Sequence, residues 1–129
     1  MLKKRSVLLL MEVDVSIGKL VYSLLKKIYK VKIISSLKEV KDCNKFDACI
    51  ADCRLIFNER FRDYCFPIIV LSEYPQSEDA LWFLTRGCYD YIESHLDRIN
   101  PKNILGITKR SIELHDVYRS NNLPYGHLD

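Results

Sequence analysis

The sequence predicts an α/β fold in which helices cover both faces of a doubly wound, five-stranded parallel sheet. The chain has 129 residues, of which 48% are hydrophobic and 29% are charged, as expected for one globular domain. Five short, nearly continuous apolar runs have the pattern of strands buried on both faces. Segments with helical periodicity or capping residues separate these runs, and this alternation is typical of parallel sheets.

The strands are predicted from the apolar runs, which are shorter than ordinary helices. The run at residues 67–71 is the clearest of them, and Asp52 directly follows the third run. In chain order, the predicted strands cover residues 7–11, 31–34, 48–51, 67–71 and 89–92.

The helical segments are predicted from apolar periodicity and from capping residues. Residues 16–28 carry their apolar side chains on one helical face, with lysines off that face. Ser36 and Glu39 have the spacing of a capping box. Asn100 followed by Pro101 marks a helix start. The predicted helical segments are 16–28, 37–43, 57–64, 77–87 and a last helix from residue 101 through residue 114.

We expect residues 1–119 to form the domain and residues 120–129 to form a polar tail or linker. No stretch approaches the roughly 18 apolar residues of a membrane helix, and the apolar run near the amino terminus is too short for a signal peptide. The five cysteines form no CxxC pair and have no histidine at metal spacing, so reduced thiols in a cytoplasmic protein are expected. Cys49 and Cys88 lie in or beside strands and are predicted to be small core residues.

The charge distribution bears on the class of partner. A net charge of +3 is too small to predict nucleic acid binding. Residues 1–45 contain eleven Lys and Arg against four Asp and Glu, whereas the remaining residues contain nine against thirteen. This distribution predicts one basic and one acidic face, which suits docking to charged partners.

The carboxyl ends of the predicted strands are the expected ligand edge of a doubly wound sheet. Glu12 and Asp14 follow the first strand, Asp52 follows the third and Ser72 follows the fourth. Carboxylates from neighbouring strands are suited to share Mg²⁺, and a carboxylate near a hydroxyl is suited to accept a phosphoryl group. Spacing alone leaves a third interpretation open, in which these residues are solvated loop starts and helix caps.

Other catalytic patterns are missing from the sequence. It contains no glycine-rich phosphate loop, no GxSxG and no HExxH. His95, His115 and His127 are isolated and are predicted to be surface residues. We therefore expect no enzymatic activity.

Three segments resemble the receiver domains of response regulators, and the resemblance extends over about residues 5–117. Residues 46–52 match the third-strand segment that carries the phospho-accepting aspartate of that family. Residues 67–72 match its fourth-strand segment, and residues 87–92 match its Gly-small-x-Asp-Tyr-Ile run. The three segments occur in the family's order on the corresponding strands, which makes the resemblance fairly specific.

The resemblance implies a flavodoxin-like fold and a role in two-component phosphorelay signalling. By position it makes Asp52 the phospho-acceptor and makes Ser72 and Tyr91 the switch residues. It implies Mg²⁺ binding by Glu12 and Asp52, with Asp14 as an alternative ligand. The implied partners are a sensor histidine kinase or another signalling protein, and a second copy of the chain in a homodimer.

The sequence departs from the family at positions that handle phosphoryl charge. Val13 replaces a usual Mg²⁺ ligand, Ser94 stands at the usual lysine position, and His95 replaces the following proline. The segment between Asp52 and Ser72 is also short for the family. Metal and lysine normally offset the charge of the phosphoryl group. We therefore expect weak or absent Mg²⁺ binding, impaired phosphorylation and function mainly through protein binding.

Two other functions are compatible with the sequence. The first is a conventional Mg²⁺-dependent receiver that is phosphorylated at Asp52. The second is a small flavodoxin-like nucleotide-binding or enzymatic domain, against which the missing phosphate loop argues.

The resemblance also implies an output surface on the fourth helix, fifth strand and fifth helix of the family. The candidate interface residues there are Trp82, Asp90, Lys109 and Arg110. Trp82 is the strongest of them, because other apolar residues of its helix fill the stripe that faces the sheet and exposed aromatic residues often anchor interfaces. For Lys109 and Arg110, a solvated helix face is the simpler interpretation.

Overall fold

The computed structural model describes residues 4–12, 16–73, 75–95 and 99–121. Within these ranges, the chain forms five strands, three α-helices and four short 3₁₀ turns. The strands are β1 (Ser6–Leu10), β2 (Lys30–Ile33), β3 (Ala48–Asp52), β4 (Ile68–Ser72) and β5 (Asp90–Glu93). The α-helices are α1 (Ser16–Leu25), α2 (Ser77–Thr85) and α3 (Pro101–Ser120).

All five strands pair in parallel, in the order β2-β1-β3-β4-β5. The chain winds from β1 to one edge and then back across to the other, so its connections fall on both faces of the sheet. The predicted α/β fold with a five-stranded, doubly wound parallel sheet is therefore confirmed. Each strand begins and ends within one residue of the predicted position.

The first face of the sheet is covered by α1 and α3. Side chains of a strand alternate between the faces, so Val7 and Leu9 point to this side while Leu8 and Leu10 point to the other. The amphipathic stripe of α1 packs there, as its periodicity predicts. The residues of the two helices that belong to the hydrophobic cluster on this face are Ile17, Val21, Leu25, Ile104, Ile107 and Ile112.

The second face is covered by α2 and the 3₁₀ turns, and here two predicted helices are wrong. Residues 37–43 and 57–64 contain only the turns Leu37–Glu39, Cys43–Lys45 and Phe61–Asp63. The predicted capping box at Ser36 and Glu39 does form, but Val40 returns to an extended conformation and Asp42 caps a new turn. Two of these turns therefore bury one side chain each, Leu37 and Phe61, instead of a helical stripe.

The last helix begins where it was predicted and then continues further. Asn100 is its N-cap and accepts hydrogen bonds from the backbone N–H groups of Lys102 and Asn103. The helix extends to Ser120, one residue past the predicted domain boundary, and most of the predicted tail lies outside the described residues. No helix in the described ranges is long and apolar enough to span a membrane.

Two expectations about individual residues are wrong. Cys43 and Cys65 form a disulfide, with their Cα atoms 5.9 Å apart, because a 3₁₀ turn and the loop before β4 bring them together. His115 is buried and not on the surface, because it lies on the side of α3 that faces the domain. Cys49 and Cys88 are buried, as predicted.

Candidate functional site

Asp52 is the last residue of β3 and lies at the carboxyl edge of the sheet. Its side chain is only 11% exposed. One carboxylate oxygen, Oδ1, accepts a hydrogen bond of 2.9 Å from the backbone N–H of Arg54, so Asp52 is the N-cap of the turn Cys53–Leu55. A carboxylate suits this position because the first N–H groups of a turn have no partner within it.

The guanidinium group of Arg54 binds both oxygens of the Asp52 carboxylate. Its Nε donates to Oδ1 at 3.1 Å, and its Nη2 donates to Oδ2 at 2.7 Å. The hydrogen bonds and charge of Asp52 raise the pKa of Arg54 above its usual value. The arginine side chain itself is 66% exposed, so solvent reaches the pair from one side. Sequence reasoning missed this contact, although an arginine two residues after a capping aspartate is a readable signal.

The two predicted switch residues lie beside each other. Ser72 ends β4, and its neighbour Leu71 pairs in register with Asp52. Burial raises the pKa of the Tyr91 hydroxyl, and Ser72 partly offsets that effect. The buried hydroxyl makes no well-formed hydrogen bond to any described residue, and its ring stacks on Phe83 with centroids 5.5 Å apart.

Cys53 belongs to the same group of side chains. Burial raises the pKa of its thiol, while Ser72 lowers it. Ser72 thus affects the pKa of both the Cys53 thiol and the Tyr91 hydroxyl, and the strand registers place Asp52, Ser72 and Tyr91 on the adjacent strands β3, β4 and β5.

The described residues do not fit a Mg²⁺ ion in this arrangement. Both oxygens of Asp52 are bound by a cation, and Glu12 is exposed to solvent. No group of three or more His, Cys, Asp or Glu side chains is placed to hold a metal in the ranges that the structure describes. Val13 and the alternative ligand Asp14 lie outside those ranges.

The residue at the usual lysine position after β5 carries no positive charge. Ser94, which stands at the usual lysine position, is buried, and its backbone N–H donates to the carbonyl of Ser72 at 2.8 Å. A serine side chain is too short to reach across the edge to a group on Asp52. Among the described residues, the positive charge that contacts Asp52 is that of Arg54, which follows β3 directly.

Trp82 lies on the surface of α2 and is held in a defined position. It is 39% exposed, its Nε1 donates to the carbonyl of Phe57 at 3.1 Å, and its ring stacks on that of Phe57 at 5.2 Å. The guanidinium of Arg86 covers the ring at 4.4 Å from the centroid. The expectation that Leu81 and Leu84 fill the stripe that faces the sheet is wrong, because both are exposed and Phe83 is the buried residue of the helix. The helix therefore presents an apolar surface.

The other interface candidates differ in exposure. Asp90 is half-buried, and its Oδ1 accepts a hydrogen bond from the backbone N–H of Tyr91 at 2.8 Å. Lys109 and Arg110 are exposed on α3. The Arg110 guanidinium lies close over Gly106, where an added Cβ would approach within 3.3 Å.

The comparisons with known proteins identify the fold by structural similarity and not by similarity of sequence. No protein-family model matches the chain, and no curated protein matches its sequence. A response-regulator receiver domain protein (CheY-like) from Methanospirillum hungatei JF-1 is similar with a TM-score of 0.66 and 16% identity, over 89% of this chain and 98% of that one. A receiver domain protein from Clostridium thermocellum is similar with a TM-score of 0.70 and 14% identity, over 88% and 98%.

A third similar structure shows the chemistry of one such protein. It is a response regulator from Burkholderia pseudomallei with a phosphorylated aspartic acid, a calcium ion and citrate. The TM-score is 0.61 and the identity is 17%, over 93% of this chain and 75% of that one. The strand order, the carboxylate at the end of β3 and these similarities agree, and the chain has the fold of a response-regulator receiver domain.

Proposed function

We propose that the chain is a receiver-type signalling domain in which phosphorylation of Asp52 is impaired and which acts mainly by binding another protein. The structural observation behind the impairment is the ion pair in which Arg54 binds both oxygens of the Asp52 carboxylate, and it adds to the replacement of the family's second acid and lysine by Val13 and Ser94. The receiver fold and the phosphorylated aspartate of the similar Burkholderia protein support Asp52 as the acceptor position.

The ion pair opposes phosphoryl transfer for a simple reason. An oxygen of Asp52 must attack phosphorus, and both oxygens already accept hydrogen bonds from a cation. Because Arg54 is largely exposed, the pair is worth only about 0.5–1 kcal/mol, which slows the reaction about twofold to fivefold. The larger part of the impairment is assigned to Val13 and Ser94, which replace the family's second acid and its lysine.

The protein-binding role is supported by the surface of α2. Leu81 is 65% exposed, and Trp82 and Leu84 are exposed beside it. Aromatic and aliphatic side chains of this kind are frequent anchors of interfaces. The proposed partners are a sensor histidine kinase or another signalling protein, or a second copy of the chain, and the domain is proposed to have no enzymatic activity of its own.

Phosphorylation is tested by incubating the protein with a small-molecule phosphodonor and millimolar MgCl₂, followed by intact-mass analysis. We expect the wild-type protein to gain little or no phosphoryl mass. Arg54→Ala is expected to accelerate the gain about twofold to fivefold, and Val13→Asp combined with Arg54→Ala should accelerate it further. Asp52→Asn is the control, and it should abolish any gain in each background.

Two results would contradict the proposal. Rapid and complete phosphorylation of the wild-type protein at Asp52 would favour the conventional Mg²⁺-dependent switch. Mass gain that persists in Asp52→Asn would show that another residue is the acceptor.

A further inference from the structure

The amino-terminal end of the sheet, opposite to Asp52, contains an open groove with a volume of about 570 Å³. It begins at the first residues of β1 and β2 and continues to the end of α3. We call it the basic groove, because it is lined by five cationic side chains and a single carboxylate: Lys4, Arg5, Lys30, Lys45, Arg119 and Asp47. Four of these five cations belong to residues 1–45, the part of the sequence with the positive excess.

Two of the five cations are already paired. Arg5 and Arg119 both bind Asp47, and Arg5 also forms an ion pair with Asp116. In contrast, Lys4, Lys30 and Lys45 are exposed and form no ion pair within the part of the chain that the structure describes. The groove therefore has three ammonium groups available to an anionic ligand.

A smaller cleft of about 130 Å³ adjoins the basic groove and shares Lys45 with it. Its apolar lining consists of Leu8, Ile34, Val40 and Phe46. We call it the apolar cleft. Its volume is suited to one aliphatic side chain, and further lysines surround it, with the Lys32 ammonium 5.9 Å from the centroid of the Phe46 ring.

The two carboxylates that line the apolar cleft accept hydrogen bonds from backbone N–H groups of the protein. Glu39 accepts hydrogen bonds from the backbone N–H groups of Ser35 and Ser36, and Asp42 accepts one from Asn44. Both carboxylates keep their charge, but the lining of the cleft holds three lysines, Lys32, Lys41 and Lys45, against these two acids. The lining of the cleft therefore has a small positive excess.

We propose that the basic groove and the apolar cleft together bind an acidic linear segment of a partner protein. Its carboxylates pair with Lys4, Lys30 and Lys45, and one aliphatic side chain enters the cleft. β2 is an edge strand, so the backbone beside Lys30 and Lys32 is open to an extended peptide.

Charge and shape favour a peptide over a nucleic acid as the ligand. A single-stranded nucleic acid is commonly held by aromatic side chains on which its bases stack. No aromatic side chain lines the basic groove in the described residues. A neighbouring apolar cleft is instead the feature that an acidic peptide with aliphatic residues complements.

This inference goes beyond the proposed function, because it concerns the end of the sheet opposite to Asp52. It is tested on the full chain with a fluorescein-labelled peptide of repeating Glu-Glu-Leu triplets, and binding is followed by fluorescence anisotropy. Control peptides replace Glu with Gln or Leu with Ser. We expect the Glu-Glu-Leu peptide to bind at least about tenfold more tightly than the Gln peptide, and more tightly than the Ser peptide.

Matched charge variants locate the binding surface. Lys30→Glu with Lys45→Glu should weaken peptide binding by about tenfold or more, and the milder pair Lys30→Gln with Lys45→Gln should also weaken it. Lys109→Glu with Arg110→Glu makes the same change in net charge on α3 and should alter the affinity by less than about twofold. Asp52→Asn should leave it unchanged, so a failure here is distinguishable from a failure of the phosphorylation experiment.

Four outcomes would overturn the inference. The first is the absence of binding, and the second is an equal loss of affinity in both charge-reversal variants, which would indicate nonspecific attraction. The third is that an oligonucleotide, inorganic phosphate or anionic lipid vesicles displace the peptide more effectively than unlabelled Glu-Glu-Leu peptide. Backbone amide shifts on peptide addition should map to Lys32 and Phe46, and shifts confined to α2 would also contradict it.

Discussion

Strand β3 has an aspartate at each end, and the two are held in different ways. Asp47 directly precedes the strand and Asp52 ends it, and their side chains are 10% and 11% exposed. The partners of Asp47 are Arg5, Arg119 and the backbone N–H of Ser6, all at least 41 residues away. In the part of the chain that the structure describes, Asp52 is held by Arg54, two residues away.

The difference in sequence separation determines what each carboxylate can do. Releasing Asp47 requires β1 and α3 to move apart, because its arginines belong to those elements. Releasing Asp52 requires only that the exposed side chain of Arg54 rotates into solvent. The two aspartates are similarly buried but differ in how they are held. We call Asp47 with Arg5 and Arg119 the clamp, because these contacts join β1, β3 and α3, and we call Asp52 with Arg54 the reversible site, because this ion pair can open without movement of another element.

The largest expected effect concerns the disulfide that reinforces the clamped end. Cys43 and Cys65 close a loop with a sequence separation of 22, next to the segment whose Asn44 and Phe46 carbonyls bind Arg119. Reduction should lower the free energy of unfolding by about 3 kcal/mol, because the unfolded chain regains the freedom of that loop. Chemical denaturation with and without reductant measures this effect.

A thiol titration provides the check on the disulfide. The unfolded protein should show three reactive thiols before reduction, corresponding to Cys49, Cys53 and Cys88. Five thiols at that stage would show that the bond does not form in solution. In Cys53→Ser, reduction should destabilise the protein as much as in the wild type.

The second prediction compares two arginine-to-alanine substitutions, one in a partner of Asp47 and one in the partner of Asp52. Arg119→Ala removes hydrogen bonds to Asp47 and to the carbonyls of Asn44 and Phe46, and it should cost about 1.5 kcal/mol. Arg54→Ala removes an exposed ion pair but keeps the backbone N–H that caps Asp52, so it should cost only about 0.5–1 kcal/mol. Urea denaturation of both variants measures the difference, and equal costs would remove the distinction between clamp and reversible site.

Features of the structure that depend on neighbouring residues could be predicted from the sequence, whereas contacts between distant residues could not. The strands and the position of Asp52 are readable from the sequence, because apolar runs have a short-range pattern and a carboxylate after a buried strand falls at the ligand edge. The clamp around Asp47 is not readable, because its partners depend on where β1 and α3 meet after folding. The missing helices at residues 37–43 and 57–64 are a related error, since capping residues specify where a turn begins but not how long it continues.

The last prediction concerns the pH dependence of stability that results from an ionisable side chain buried near Asp47. Its effect on the free energy of unfolding is smallest at neutral pH. His115 is buried on α3 near Arg119, Asp47, Asp116 and Arg5. Burial lowers its pKa to about 4, and the two arginines lower it as well, while the two aspartates raise it. The unfolded chain, with a histidine pKa of about 6.5, therefore binds more protons between these values.

Stability from the neutral histidine should thus be complete above about pH 6.5 and decline as the pH falls towards 4. His115→Phe removes the ionisable group while filling a similar space, so its stability should fall less steeply than that of the wild type over this range. Asp47 and Asp116 remain in both proteins, and the difference between the two curves isolates the histidine. Parallel curves from denaturation at several pH values would show that His115 titrates normally, and that the clamp excludes water less completely than the burial of this side chain indicates.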